Sequence, residues 1–189
     1  MLNKKVEEAI NAQINAELWS AYLYLSMAAW CHANGNPGMG KWFEVQFQEE
    51  QDHAKIFFKY LEGGKVTVSP SIDAGVIGDT ATNLRISANE EMVEGVQMYT
   101  DAAKVADEEG FPEIASHFRA IAEIENRHHA RFEAYIKQIE TGTVWKREVP
   151  IKWQCLVCGY VYEGLEPPKV CPACDHPYQH YIALDMDEL

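Results

Sequence analysis

Glu50 with His53, and Glu125 with His128, form two Glu-x-x-His pairs in this chain. On a helix the two residues of such a pair share one face, so both reach one metal ion while the carboxylate spans to a second. A single pair is commonplace on a solvated helix. These two lie on apolar stripes with steps of mostly three and four residues. One stripe reads Phe43, Phe47, Glu50, Ala54, Phe57, Leu61 and the other Ile114, Phe118, Ile121, Glu125, His128, Phe132. Two further stripes carry acids in the same way: Ile10, Ile14, Glu17, Ala21, Tyr24, Ala28, and Leu84, Glu91, Glu94, Met98, Ala102, Val105. Each acid is thereby directed into a core. Burying one unpaired ion costs several kcal/mol, and five would consume the roughly 5–15 kcal/mol by which a domain is stable. A positive partner must lie among them, and a pair of metal ions meets that need. Mixed carboxylate and imidazole ligation suits iron or manganese.

Tyr24 and Tyr99 fall close to these acids, either to donate hydrogen bonds to oxygen bound at the metals or simply to fill the core. His129 is off the stripe and expected to be exposed. His32 and His117 lack a partner pattern, and Cys31 is expected to be a small buried apolar residue.

A second constellation lies near the C-terminus. Cys155-Leu156-Val157-Cys158 and Cys171-Pro172-Ala173-Cys174 are two Cys-x-x-Cys knuckles with 12 residues between them. Two knuckles supply the four thiolates of a tetrahedral site. A structural zinc ribbon uses the same ligands. The short gap, the aromatic residues Trp153, Tyr160, Tyr162, Tyr178 and Tyr181, and the attachment to an oxidase-like bundle that needs electrons favour iron.

Four helices are expected to position the acids. The first runs from about residue 3 to residue 33 and stops at Asn34-Gly35-Asn36-Pro37-Gly38. The second ends near Glu62, before Gly63-Gly64. Residues 65–78 have no helical period and read as a crossover between helices running in the same direction. A third helix starts at Asp79-Thr80 and ends by Glu109-Gly110, and a fourth runs from Phe111-Pro112 to Thr141-Gly142. Two antiparallel pairs joined by one long crossover is the ferritin-like form of a four-helix bundle. Residues 1–145 are assigned to it, and residues 150–189 to a small metal-binding β domain with strands near Trp153-Gln154-Cys155 and Tyr160-Val161-Tyr162.

The net charge of −13 argues against nucleic acid as a partner. The N-terminus lacks the apolar core of a signal peptide. The longest apolar run, near Tyr22 to Trp30, is too short to span a bilayer and is broken by Ser26. A cytoplasmic location is expected, where paired cysteines bind metal rather than form disulfides.

The chain resembles the rubrerythrin family. The likeness is densest through Glu62-Gly63-Gly64, Gly75-Val76-Ile77-Gly78-Asp79-Thr80-Ala81-Thr82-Asn83-Leu84, Met98-Tyr99, Glu108-Glu109-Gly110-Phe111 and Ile114-Ala115. It resumes at Trp153-Gln154-Cys155, Cys158-Gly159-Tyr160-Val161-Tyr162-Glu163-Gly164 and Cys171-Pro172-Ala173-Cys174-Asp175-His176-Pro177. The resemblance implies a non-haem di-iron peroxidase with a rubredoxin-like electron-transfer domain. It implies that Glu17, Glu50, Glu91, Glu94, Glu125 and His128 ligate the two irons, with His53 exchanging for Glu94 at one of them. Cys155, Cys158, Cys171 and Cys174 match a rubredoxin-type iron site. Implied partners are hydrogen peroxide, an NAD(P)H-linked reductase, and further copies of the chain in a homodimer or larger assembly. The first sixty residues look more like a bacterial ferritin, which sets a ferroxidase or iron-storage role beside the peroxidase.

Overall fold

The computed structural model describes residues 2–61, 66, 68 and 77–185, the side chains of residues 94–96 excepted. Helix α1 spans Lys4–Ala33, and its cap Asn3 accepts a hydrogen bond from the Val6 amide at 3.1 Å. Helix α2, Pro37–Phe58, begins with proline in its first turn and closes in a 3-10 turn at Lys59–Leu61. Helix α3, Thr80–Glu91, is capped by the Asp79 carboxylate. After a π-helical segment at Met92–Met98 the chain continues as α4, Tyr99–Glu108. Helix α5, Pro112–Thr141, ends where Gly142 takes the left-handed conformation, φ +67°. Helix α1 packs along α2, and α3 and α4 pack along α5. The core is thus one ferritin-like bundle. Most of the predicted crossover, and the Gly63-Gly64 stop, lie outside the described residues.

The stripes of the first, second and fourth predicted helices are buried as read, apart from the half-buried Phe47. The third predicted helix differs. A single α-helix from Asp79 to Glu109 would bury Met98 and Val105 along with Leu84 and Glu91. Instead Met98 and Val105 are half-buried, and Tyr99, Ala102, Ala103 and Ala106 face the core. A π turn takes up one residue more than an α turn, so beyond Met98 the buried set moves one position along the sequence.

The C-terminal module is a three-stranded antiparallel sheet of order β2-β1-β3. Strand β1 is Ile151–Cys155, β2 is Val161–Gly164 and β3 is Tyr181–Ala183. Two strands lie where the sequence reading put them, with β1 starting two residues earlier and β2 shifted from residues 160–162 to residues 161–164. The third, only three residues long, has no alternating pattern to announce it. Trp153 is fully buried and donates to the Gly164 carbonyl at 2.9 Å. The sheet rests on the bundle: Trp153, Cys155 and Tyr181 share an apolar cluster with Met39, Phe43 and Tyr135. A methyl group at Gly38 would sit 3.2 Å from the Tyr181 carbonyl oxygen and 3.3 Å from that of Gln179. A cavity of about 300 Å³ remains at this seam, walled by Met39, Trp42, Tyr135, Trp145, Tyr181 and Ile182. No described helix is long and apolar enough to cross a membrane.

Candidate metal centres

The bundle brings six of the seven predicted acids and histidines to one place. Ligand atoms of Glu17, Glu50, His53 and Glu125 all lie within 4.8 Å of one another, as do those of Glu50, Glu91, Glu125 and His128. Glu50 and Glu125 belong to both groups, the arrangement that two carboxylates bridging a pair of ions require. That count includes Glu91 from α3; Glu94, the seventh expected ligand, has its side chain outside the described residues. The imidazoles of His53 and His128 lie nearly parallel, with centroids 5.8 Å apart and planes at 15°, so the two groups are near-equivalent halves.

All of these side chains are buried. Nδ1 of His53 approaches Glu50 and Glu125 at 2.9 Å and Glu17 at 3.4 Å. Nδ1 of His128 lies 2.8 Å from Glu125, 3.3 Å from Glu91 and 3.6 Å from Glu50. Burial lowers the affinity of both rings for a proton, yet the carboxylates around them outweigh it and raise both pKa values. Burial also opposes ionisation of Glu125, but His128 and His53 hold its carboxyl at about 2. Glu91 is pushed up to about 7 by burial against the pull of His128, and burial with Glu91 and Glu125 nearby drives Glu50 well above the carboxylate range. Without metal, protonated histidines supply positive charge and protonated carboxyl groups remove negative charge.

The donor set fits metal better than protons. Both Glu125 oxygens, one Glu17 oxygen and Nδ1 of His128 are buried and make no hydrogen bond despite the short contacts. Their lone pairs converge on shared space instead of on one another. The other Glu17 oxygen accepts from the Tyr99 hydroxyl and from Nε2 of Gln13 at 3.2 Å. Tyr24 donates to Glu91 at 2.5 Å. Both predicted tyrosines therefore address carboxylates of the set.

Four neighbours escaped the sequence reading: Gln13, Gln46, Glu49 and Arg131. Gln46 donates to Glu50 at 3.1 Å, repeating the Gln13–Glu17 contact. The signal was present as Gln-x-x-x-Glu in both of the first two helices. His129 is half-buried rather than exposed, because its Nδ1 meets the Ala88 carbonyl at 2.7 Å. His32 and His117 do have partners, Glu44 and Tyr60. Cys31 is buried as expected, and burial pushes its thiol to about 11, which leaves it unreactive.

In the C-terminal module each knuckle is a tight turn. The amide of Gly159, φ +78°, donates to the Cys155 carbonyl at 2.8 Å, and that of Asp175, φ +59°, donates to the Cys171 carbonyl at 3.0 Å. The four sulfurs lie within 4.8 Å of one another, with Cys155–Cys174 and Cys158–Cys171 each at 3.7 Å. Metal–thiolate bonds of about 2.3 Å give a tetrahedron with edges of about 3.8 Å, so the sulfurs stand close to ligating positions. Cys155 and Cys171 are buried, while Cys158 is exposed and Cys174 half-exposed.

The sequence matches the ferritin-like domain family over residues 7–142 and the rubredoxin-like domain of rubrerythrin over residues 153–182. Rubrerythrin of Porphyromonas gingivalis is 46% identical over 134 residues, which cover 71% of this chain and 67% of that protein. Rubrerythrin of Nitratidesulfovibrio vulgaris is 44% identical over 145 residues, 77% of this chain and 76% of that one. A mixed-valence nigerythrin structure shares the fold with a TM-score of 0.65 at 24% identity, covering 97% of this chain and 88% of its own. With a carboxylate–histidine di-iron site in a ferritin-like bundle and a four-cysteine site in a rubredoxin-like module, the chain belongs to the rubrerythrin family.

Proposed function

We propose that this protein is a peroxidase that reduces hydrogen peroxide to water in the cytoplasm, with electrons from an NAD(P)H-linked reductase entering through the cysteine-bound iron. Residues 1–145 act as the di-iron domain and residues 150–189 as the relay domain. Glu17, Glu50, His53, Glu91, Glu94, Glu125 and His128 hold the iron pair, and Cys155, Cys158, Cys171 and Cys174 hold the third iron. The observation that carries this reading is the pair of overlapping ligand groups sharing Glu50 and Glu125, joined in one chain to a four-thiolate site that a storage protein does not need. Two ferrous ions, when bound, supply the two electrons that, with two protons, cleave the O–O bond of one hydrogen peroxide to give two waters.

The protein's own groups prepare that site. Tyr24 holds a proton at Glu91 and Tyr99 holds one at Glu17, so each fixes a carboxylate and keeps a proton beside the reaction space. Tyr24 packs with Phe43 and Phe132, and Tyr99 with Phe57 and Phe118. These rings exclude water from both ends of the site. An assembly of two or more copies is part of the same proposal.

Anaerobic iron loading followed by peroxide is the test. The expected result is close to three irons per chain and sustained, reductase-coupled peroxide consumption. A single cysteine-bound iron in folded protein, or iron retained as a large store without peroxide turnover, would overturn it in favour of electron carriage or storage.

A further inference from the structure

The two halves of the bundle site differ in what stands behind the histidines. Nε2 of His128, the nitrogen turned away from the cluster, lies 3.3 Å from a Glu49 carboxylate oxygen. That oxygen is 3.6 Å from Nη1 of Arg131. Nη1 also donates at 2.9 Å to the side-chain oxygen of Gln46, whose amide nitrogen donates to Glu50. Trp42 closes the back of the group, with the guanidinium carbon 5.3 Å from its ring centroid. Among the described residues nothing comparable backs Nε2 of His53, and Gln13 meets no arginine.

From this asymmetry we infer that Glu49 and Arg131 are positioning residues, which brace His128 and Glu50 from behind and make one metal subsite tighter than the other. The inference rests on the di-iron reading above. An imidazole that ligates through one nitrogen is held in orientation and tautomer by what accepts from the other. Glu49 is placed to be that acceptor. Arg131 acts through Gln46: an amide that receives a donor on its oxygen must turn its NH₂ the other way, toward Glu50. The arginine therefore fixes which end of Gln46 the bridging carboxylate sees. Lysine at 131 would keep the charge but lose the planar guanidinium that lies over Trp42 and holds Nη1 between Gln46 and Glu49. As a plain ion pair, Glu49–Arg131 would matter little, because Glu49 is 38% exposed and the pair is loose. Its significance lies in the two ligands it braces, His128 directly and Glu50 through Gln46.

The test uses full-length protein with iron already in the cysteine site, titrated with Mn²⁺ while free Mn²⁺ is followed by electron paramagnetic resonance. Manganese prefers the oxygen and imidazole donors of the bundle to thiolates. Wild-type protein should bind two Mn²⁺ with distinct affinities. Glu49→Ala should weaken the tighter class by about 10–100-fold, the usual effect of losing such a partner, and leave the weaker class unchanged. Glu49→Gln, which still presents an acceptor oxygen, should restore most of that loss. Arg131→Lys should weaken the same class. Unchanged affinities in Glu49→Ala, or equal weakening of both classes, would overturn the brace. So would a Glu49→Gln variant as weak as the alanine, because the effect would then be one of charge. Wild-type protein that binds no Mn²⁺ in the bundle would overturn the metal-pair reading itself, a result distinct from all of these.

Discussion

The two metal centres are built by opposite strategies. The bundle site gathers buried acids and histidines from α1, α2, α3 and α5, residues far apart in sequence, and stores several charges where solvent is excluded. The cysteine site comes from two local turns, with two of its sulfurs near the surface. Metal-free, the bundle still has a long apolar core and neutralises itself with protonated histidines. The module has a single fully buried tryptophan and three short strands, too little core to be stable alone. Metal should thus be an occupant of the first site and a structural member of the second.

Removing residues after Val149 should have the largest effect on turnover. Reductase-coupled peroxide consumption should fall to background, while a chemically reduced bundle is still oxidised once by peroxide. Full coupled turnover in the truncated chain would instead make the module a structural appendage.

Glu125→Ala comes next, with peroxide turnover expected to fall on the order of 100-fold or more and the cysteine-site spectrum unaltered. Like-charge repulsion among five acids suggests that this change should also stabilise the metal-free bundle. The structure reverses the sign: Glu125 is ionised between two protonated histidines. Losing it takes from both histidines the carboxylate they share, leaving Glu17, Glu50 and Glu91 as their partners, a cost of about 1–3 kcal/mol, which urea denaturation of metal-free protein would measure.

Complete chelation separates the two centres by stability rather than rate. Far-ultraviolet circular dichroism should keep most of its helical signal, while Trp153 should become accessible to quenchers. Loss of helix in parallel with exposure of Trp153 would contradict the contrast between the centres.

Tyr24→Phe should be the mildest change. It removes one hydrogen bond to Glu91, for a loss of about 1.5–3 kcal/mol where the acceptor is charged, without opening a cavity. Thermal melts of iron-loaded protein would register it.

Much of this was legible in the sequence for physical reasons. An α-helix repeats every 3.6 residues, so the stripes containing Glu17, Glu50 and Glu125 declared their buried faces. The cysteine knuckles are short-range geometry, and their spacing sufficed. Glu49 and Arg131 were not legible, because their roles arise where α2 and α5 meet side by side. Gln13 and Gln46 lay between these cases, visible as a repeated spacing that gains meaning only beside buried carboxylates. The seat of the module on Gly38 depends on backbone atoms of Gln179 and Tyr181 and leaves no trace in residue pattern. Tyr99 appeared as a candidate residue while the helical face around it was misassigned.

That misassignment gives the π-helical segment at Met92–Met98 a further significance. Each residue of an α-helix advances its azimuth by about 100°. Deleting one residue from this segment would remove the extra residue of the π turn and leave the downstream faces where they are; winding the whole segment as ordinary α-helix, with no residue lost, would rotate everything downstream by about that angle relative to α3. In that uniform α-helix Tyr99, Ala103 and Ala106 would turn out of the core together, and the Tyr99 hydroxyl would leave Glu17 although every side chain involved was still present. The loss of one residue here would be absorbed, whereas a regular α-helical winding at full length would detune half the bundle at once. The segment serves as a phase shifter between the half of the helix that presents Glu91 and the half that presents Tyr99.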